Sequence, residues 1–547
     1  MEDDEATTEG KRFIESVNFP FKEVSEASAV EKGPGRPPHW EMVFWWTRKP
    51  LISARAIVAG CLLPEKTNAS EFLRGIGVRR KRAGGRTVFD GAPHRVKPGY
   101  YFKGVKLLDP FAGFGSIPLE GARLGLDVTA VELLPTAYIF LKAVLEYPAK
   151  YGGLLVKDVE KWGEWVIERF REDPLTRELY DEDVAVYIGS WEVKCPHCGR
   201  WTPLVGNWWL ARVKGKKGYE RLAWMQPKIV GDKVEIEIVD LNKVFGNRPL
   251  EEAEVNGLTV KAAGKQFNVP ESNMEARRET ATCLHCAQPI MQVDSQTGKH
   301  YTQTKGLPED VRERLKDYVK FALELYNRGE GYGTNTELPP WINEIPARQR
   351  LFVKVKVKQG NLEFEPCLEN DQEKLELARQ EIEKLLKQKD PDIPKEELAP
   401  YGTQAIGGYL QPLNYNMTEW YKLFNPRQLL TLVKLVKLIR EAGKLIEEEK
   451  IKEGLSKEEA FRYAEAIATY LATMLTKYVD HNTLCTCWHP VLLIIAHTLS
   501  MRGIAMMWNW TDENPCVRFV GSWTRSSENI ANGLNYLVSA ISGSPNK

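Results

Sequence analysis

Apolar and polar positions around residue 110 follow a pattern that predicts a strand, a tight loop, a helix and a second strand. Residues 105–108 and 128–131 are short apolar runs, which are typical of buried parallel strands. Pro110 ends the first run, and Gly113 and Gly115 follow it, where a missing Cβ lets the backbone approach a ligand. The pattern therefore predicts the first βαβ unit of an α/β fold, with a ligand crevice at the carboxyl ends of the strands.

Outside this unit, the periodicity predicts mostly helices with shorter strands between them. Helices are expected at residues 51–63, 308–327, 371–389, 426–449 and 457–479, and the apolar run 489–499 is expected to be a buried helix. Strands are expected at residues 233–239, 258–262 and 351–358, and the Pro- and Gly-rich stretch 391–408 is typical of a linker.

These elements divide the chain into four regions. They are a basic N-terminal block with the βαβ unit (1–150), a β-rich insertion (184–300), a mixed helical and strand arm (301–400) and a helical region that completes the core (401–547).

The composition favours a multi-domain protein of a reducing compartment. The chain has 547 residues, of which 43% are hydrophobic. No apolar run approaches the roughly 18 residues of a membrane span. The acidic, polar first ten residues are unlike a signal or transit peptide. Nine cysteines, mostly isolated or in C-x-x-C pairs, favour a reducing cytoplasm over a disulfide framework, so we expect a cytoplasmic protein without membrane spans.

The net charge is only +1, but the charge is unevenly distributed. Residues 36–106 carry fifteen Lys and Arg against four Asp and Glu, whereas residues 1–35 carry four against nine. A basic cluster flanks Gly84-Gly85 and consists of Arg79, Arg80, Lys81, Arg82 and Arg86. Such a cluster is typical of a flexible loop that follows a phosphate backbone, so these residues are candidate DNA contacts. A solvated surface loop is the plainer alternative.

The second apolar run ends at Glu132, about 20 residues after the glycines, where an acid can accept hydrogen bonds from ribose hydroxyls. Pro118 stands where a G-x-G-x-x-G dinucleotide motif needs its third glycine, and no Gly-Lys-Ser/Thr follows as in a P-loop. The unit therefore differs from both of these nucleotide sites.

Two C-x-x-C knuckles supply four thiolates, enough for a closed, structural tetrahedral zinc site. Cys195 and Cys198 form the first knuckle, and Cys283 and Cys286 form the second. The 84 residues between them exceed the roughly 15–20 of compact ribbons, so we expect a β-rich insertion whose knuckles meet in space. Free cysteines or two unrelated pairs are the alternatives.

Four blocks of the sequence resemble enzymes that methylate amino groups in DNA. DPFAGFGS at 109–116, followed by AVEL at 130–133, resembles motif I and the second-strand acid of amino-methyltransferases. Residues 31–32 with 39–55, LFNPRQLL at 423–430 and WNWTDENP at 508–515 resemble blocks of a family of predicted adenine-specific DNA methylases with an internal zinc ribbon.

The resemblance implies a Rossmann-like methyltransferase sheet with a β-rich zinc-ribbon insertion and additional helical regions, and S-adenosylmethionine as the cofactor. In that family's pattern, the methionine pocket and the ribose contact would be formed by Asp109, Pro110, Phe111, Gly113, Gly115 and Glu132. Arg48 is a further candidate, as the partner of a cofactor carboxylate. A sugar-nucleotide or other Rossmann-like site is the alternative.

The sequence departs from the family in one respect. Amino-methyltransferases use Asp, Asn or Ser followed by Pro-Pro and an aromatic residue, which bind the target amino group and stack on the flipped base. The nearest tetrapeptides here are RPPH at 36–39 and LPPW at 338–341, and neither fits. The catalytic residues therefore stay unassigned, and we expect a second polypeptide to supply the motif. A truncated or inactive chain is the rival explanation.

The sequence thus predicts the S-adenosylmethionine-binding subunit, or N-terminal half, of a DNA adenine-N6 methyltransferase of a restriction–modification or phage-defence system. Adenine as the target follows from the resemblance alone. The alternative is a non-catalytic nucleic-acid-binding or scaffold protein that retains a methyltransferase fold.

Overall fold

A computed structural model describes residues 10–33, 35–83, 86–89, 92–275, 279–398, 410–500 and 503–541, with backbone alone for 81–83 and 86–89. The fold mixes helices and strands, as predicted, and the strands form several small sheets. No helix within the described ranges combines the length and the apolar character needed to cross a membrane.

The helices are α1 Phe21–Glu31, α2 Leu51–Leu62, α3 Ala69–Gly75, α4 Ser116–Arg123, α5 Pro135–Leu141, α6 Tyr147–Glu172, α7 Pro174–Leu179, α8 Leu241–Val244, α9 Glu309–Arg314, α10 Tyr318–Asn327, α11 Glu369–Lys387, α12 Pro426–Lys452, α13 Lys457–His481 and α14 Trp523–Ile541.

The strands are β1 Arg80–Ala83, β2 Arg86–Phe89, β3 Lys106–Asp109, β4 Asp127–Ala130, β5 Val184–Lys194, β6 Trp201–Pro203, β7 Trp209–Lys214, β8 Tyr219–Val230, β9 Lys233–Asp240, β10 Glu254–Asn256, β11 Thr259–Ala262, β12 Lys265–Asn268, β13 Met274–Glu275, β14 Thr280–Thr282, β15 Pro289–Ile290, β16 Gln292–Asp294, β17 His300–Tyr301, β18 Leu315–Asp317, β19 Ala347–Lys358, β20 Asn361–Pro366, β21 Cys487–His489, β22 Ile494–Ala496 and β23 Asn509–Glu513.

The chain forms two compact units. The first takes its described residues from Met1–Val166, Ile439–Lys477 and Ser526–Lys547, and the second from Ile167–Leu438 and Tyr478–Arg525.

The first unit contains the predicted βαβ element. Strands β3 and β4 run parallel, with Lys106 opposite Asp127, and helix α4 connects them. Gly121 lets α4 approach the sheet closely, because a Cβ there would lie 3.2 Å from the side chains of Leu107 and Val128. The expectation that both strands are buried is wrong: α4 covers one face, and Leu108 is 65% exposed on β3.

The second unit is built around an antiparallel sheet in the order β20-β19-β5-β23, with β6 also pairing with β5. Ten of the eleven positions of β5 are buried, which suits its central place between β19 and β23. Gly189 on β5 makes room for Trp510 on β23, since a Cβ at that glycine would lie 2.2 Å from the indole ring. The strands β5 to β17 all begin within the region predicted to be β-rich.

Two sequence predictions for this unit are wrong. Residues 308–327 do not form one helix, because Leu315–Asp317 pairs with β16 and separates α9 from α10. Residues 489–499 do not form a buried helix either: β21 and β22 make a hairpin, and Leu492 is 61% exposed at its turn. In both places, strand pairing overrides the local apolar pattern.

Candidate functional site

The loop between β3 and α4 places a buried carboxylate at the end of the first strand. Asp109 is 7% exposed, and its Oδ1 accepts a hydrogen bond from the Phe111 N–H at 3.1 Å. Its Oδ2 is buried and has no partner among the described residues, and the same holds for the Ser116 Oγ in the first turn of α4. Two unsatisfied polar atoms beside one loop suit a polar ligand, because such atoms are costly to bury alone.

The glycines of this loop adopt backbone conformations that other residues rarely take. Gly113 and Gly115 have φ angles of 53° and 84°. A Cβ at Gly115 would also lie 3.0 Å from Leu141. The loop therefore depends on glycine at both positions, as its sequence predicts.

Glu132 lies directly beside this loop, as the spacing predicts. Its Oε2 accepts a hydrogen bond from the Gly113 N–H at 2.7 Å, and its Oε1 accepts one from the Leu133 N–H at 2.9 Å. The bond from Gly113 is the main reason that the pKa of this exposed carboxylate lies below its ordinary value. Glu132 is therefore ionised at neutral pH, next to the glycine backbone.

An aromatic wall from residues 39–48 packs against the same loop. The Trp45 ring lies 6.4 Å from the Phe114 ring, and the Arg48 guanidinium lies 5.3 Å from the same ring centre. Burial lowers the pKa of Arg48 to about 10, and its Nε has no hydrogen-bond partner among the described residues. The predicted ligand candidate Arg48 thus lies against the loop, with donor capacity to spare.

His39 extends this wall and was missed by the sequence analysis as a site residue. Its ring stacks between Phe114 and Tyr536, at centroid distances of 5.7 Å and 5.4 Å. Burial holds the pKa of His39 well below its ordinary value, so the ring is neutral.

The opposite side of the loop is open to solvent. Phe111 is 80% exposed and Leu133 is 92% exposed, although both flank the glycine loop. Val131, at the end of β4, is 47% exposed. Protein side chains therefore cover the glycine loop only on the side of residues 39–48, and the side of Phe111 is left exposed.

A buried ion cluster fixes helix α4, whose first turn follows the loop. The guanidinium of Arg55 on α2 donates to both carboxylate oxygens of Glu120, at 2.6 Å and 3.2 Å, and Arg123 donates to Glu120 at 2.7 Å. Burial would raise the pKa of Glu120, but the charges of Arg123 and Arg55 outweigh it, so the pKa lies below its ordinary value. The pattern of residues does not predict this cluster, since Arg55 and Glu120 are 65 positions apart.

Glu31 supports the other end of α2. Its buried Oε2 accepts a hydrogen bond from the Leu51 N–H at 2.6 Å, which satisfies a free donor in the first helical turn after Pro50. Burial raises the pKa of Glu31 to about 7, against the lowering effect of this hydrogen bond. A buried acid thus caps the helix that carries Arg55.

Most of the basic cluster lies on two paired strands, where the sequence analysis predicts a loop. Strands β1 and β2 pair antiparallel, with Lys81 opposite Val88 and Arg82 opposite Thr87. Arg79 is exposed, and Arg80 contacts Glu26 at 2.8 Å. The side chains of Lys81, Arg82 and Arg86, and all of Gly84-Gly85, lie outside the described residues. The backbone of residues 80–83 and 86–89 is thus held by pairing between β1 and β2.

The four predicted zinc ligands meet in the second unit. The Sγ atoms of Cys195, Cys198, Cys283 and Cys286 all lie within 4.8 Å of one another. Two of the Sγ pairs, Cys195 with Cys286 and Cys198 with Cys283, are separated by 3.8 Å. Four thiolates bound tetrahedrally at about 2.3 Å from zinc lie roughly 3.8 Å apart. The cluster can therefore hold a metal ion such as zinc.

The two knuckles share one backbone design. The Cys195 N–H donates to the Arg200 carbonyl at 2.8 Å, and the Cys283 N–H donates to the Gln288 carbonyl at 3.0 Å. Gly199 and Ala287, each four residues after the first cysteine, have φ angles of 72° and 55°. Both turns thus aim their cysteines at a common point, although 84 residues separate them in sequence.

The later family-like blocks meet in a buried polar network of the second unit. The Arg427 Nε donates to the Asp512 Oδ2 at 2.9 Å, and the Asn425 Nδ2 donates to the same oxygen at 2.9 Å. The Tyr187 ring lies 4.0 Å from the Arg427 guanidinium. These contacts join the blocks 423–430 and 508–515 in the interior of the second unit.

One comparison with known proteins gives a match. Residues 18–76 match the model of a family described as a protein of unknown function (DUF1156). No curated protein and no solved structure matches the chain. The matched segment contains α1, α2 and α3, and with them Glu31, Arg48 and Arg55.

We expect Glu31 to make the stability of the protein depend on pH. The folded-state pKa of about 7 lies above the ordinary 4.5, so the folded state holds a proton that the unfolded state releases. Glu31 should therefore contribute a fall in the free energy of unfolding as pH rises from 4.5 to 7, whereas His39 and His94, whose pKa values burial lowers, contribute a rise. In Glu31→Gln, the slope of the free energy of unfolding against pH should be more positive than in the wild type, by up to about 1.4 kcal/mol per pH unit.

Chemical denaturation between pH 4.5 and pH 8 measures this effect. The exposed Glu71→Gln is the matched control and should follow the wild-type curve. Parallel curves for Glu31→Gln and the wild type would show that Glu31 titrates normally.

We also expect the cysteine cluster to bind one zinc ion per chain. Cys283→Ser should lose most of the zinc and lower the melting temperature, because the metal closes the gap between two distant knuckles. Elemental analysis and thermal unfolding measure the two effects, with the exposed Cys61→Ser as the control. The metal site would be contradicted by a wild-type protein that contains no metal, has four thiols that react with a thiol reagent, and melts at the same temperature as Cys283→Ser.

Proposed function

We propose that the chain is the S-adenosylmethionine-binding part of a DNA adenine-N6 methyltransferase. The hydrogen bond between Gly113 and Glu132 carries this proposal, because it holds the strand-end acid directly beside the glycine loop. The unpartnered oxygens of Asp109 and Ser116 lie beside the same loop and support a polar, partly cationic ligand.

Each candidate residue has a distinct part in holding the cofactor. Asp109 offers a buried carboxylate to an ammonium group, and the backbone at Gly113 and Gly115 leaves room for the methionine portion. Glu132 is ionised and offers acceptors for ribose hydroxyls. Arg48 offers a partly buried cation to a carboxylate.

S-adenosylmethionine supplies a methyl group that is already activated on sulfonium. The residues of this chain then contribute position, charge and exclusion of water on the side of Trp45 and Phe114. An adenine amino group must leave the base stack to reach such a methyl group. The basic hairpin around Arg80 is the proposed contact to the flanking DNA backbone.

The rest of the proposed Rossmann-like sheet and the acceptor motif would come from a second polypeptide. Within the described residues, β3 pairs only with β4, although parallel sheets are ordinarily wider and covered on both faces. Large apolar side chains near this pair remain exposed, namely Leu108, Val131, Leu133, Leu134, Tyr138 and Ile139. A partner that adds strands and a Pro-Pro-aromatic motif would cover them and close the open side of the loop.

The cysteine cluster has a structural place in this proposal. It forms the zinc ribbon of the insertion and joins its two ends. With four sulfur ligands, the metal has no open position for a reacting group.

A second candidate is a non-catalytic nucleic-acid-binding or scaffold protein. The absence of an Asp, Asn or Ser followed by Pro-Pro and an aromatic residue favours this candidate, because that tetrapeptide binds the target amino group in amino-methyltransferases. Cofactor binding separates the two candidates.

Titration calorimetry with S-adenosylmethionine tests the proposal directly. We expect binding by the wild type and at least a tenfold weaker affinity in Glu132→Ala, which loses two acceptors to the ribose, worth about 1.4 kcal/mol or more together. Glu65→Ala, another exposed glutamate of the first unit, should bind like the wild type. A folded wild type that takes up no cofactor would exclude the proposed function.

A further inference from the structure

A cleft of about 710 Å³ lies in the first unit, and no residue of the glycine loop lines it. Its polar lining comes chiefly from Arg95, Lys97, Arg123, Asn529, Asn532 and Asn535. None of these residues belongs to the hairpin or to the cofactor candidates, and we call this site the asparagine cleft.

Three asparagines of α14 face the cleft along one side of the helix. Asn529, Asn532 and Asn535 are spaced by three residues, so their side chains follow one face, while Ile530 and Leu534 are buried. Asparagine is a weak helix former, so local folding gives no reason for three of them in two turns. The described residues provide no hydrogen-bond partner for these amides.

The other wall of the cleft is cationic. Arg95 and Lys97 are exposed and form no ion pair with a described residue. Glu41 also lines the cleft, but Arg36 contacts it at 3.0 Å. Within the described part of the chain, this wall therefore presents two cations without an ion-pair partner.

Arg123 forms the floor of the cleft and is more than nine-tenths buried. One of its amino groups binds Glu120 at 2.7 Å, and another binds the Val96 carbonyl at 3.1 Å. Its Nε is buried and has no partner among the described residues. Arg123 thus adds a guanidinium to the lining of the cleft, where it is held by Glu120 and by backbone carbonyls.

We propose that the asparagine cleft binds the sugar-phosphate backbone of DNA. Arg95 and Lys97 would take phosphates, and the amides of Asn532 and Asn535 would bind sugar or base-edge atoms, a combination typical of nucleic-acid interfaces. From Asn529 to Asn535 the helix rises roughly 9 Å, which suits two or three nucleotides of one strand better than a single phosphate. The choice of DNA rests on the proposed function; the cleft itself does not depend on it.

Fluorescence anisotropy with a labelled DNA duplex over a series of salt concentrations tests this site. Arg95→Gln with Lys97→Gln should weaken binding and reduce the slope of log K against log salt by about 1.8, or about 0.9 for each lost phosphate contact. Asn532→Ala with Asn535→Ala should weaken binding about 5- to 30-fold and leave the slope unchanged, since amides release no counterions.

The control removes the same charge elsewhere on the first unit. Lys22→Gln with Lys66→Gln changes two exposed lysines and should leave affinity and slope at wild-type values. Wild-type affinity and slope in both cleft variants would overturn the proposal, as would an equal slope change in the control. The assay contains no cofactor and no second polypeptide, so a failure of cofactor binding leaves its result intact.

Discussion

The buried cluster of Arg55, Glu120 and Arg123 is the interaction on which the first unit depends. Three charged side chains are almost fully excluded from water there, and they are tolerated because every charge has a close partner of opposite sign. Removing one member of such a cluster costs about 3–5 kcal/mol, because an uncompensated charge is left behind. The cluster joins α2 to α4, and α4 begins where the glycine loop ends. The position of the candidate cofactor crevice is therefore set by a residue 60 positions upstream of Gly115.

This arrangement gives the segment matched by the family model a physical meaning. Glu31 caps α2, Arg55 on the same helix holds α4, and Arg48 lies against Phe114 in the glycine loop. The segment 18–76 thus packs against the glycine loop and helix α4 and holds them in position. In the second unit, the ion pair between Arg427 and Asp512 has a comparable role, because it joins two distant blocks of the chain in the interior.

The sequence predicts what is local and misses what depends on distant partners. The βαβ element was predictable because its strands, glycines and acid lie within one short stretch, and the cysteine cluster was predictable from its two C-x-x-C pairs. The helix at 308–327 failed because β16 captures Leu315–Asp317 as a strand. The only local sign of the Arg55–Glu120 pair is that each residue is a charge within an otherwise apolar helix pattern. That sign does not tell which residue is the partner. The exposure of Leu108 was equally unpredictable, since the sequence of an apolar strand is the same whether or not neighbouring strands or helices cover it.

The open side of the glycine loop and the missing acceptor motif lead to one central proposal, that this chain would hold the methyl donor and a second polypeptide would complete the reaction site. Transfer of a labelled methyl group from S-adenosylmethionine to DNA, with and without a polypeptide that carries the Pro-Pro-aromatic motif, tests that claim most directly. The account predicts label on adenine N6 only when both polypeptides are present, and loss of that label in Glu132→Ala. Methylation of DNA by this chain alone, or no methylation by the pair, would contradict it.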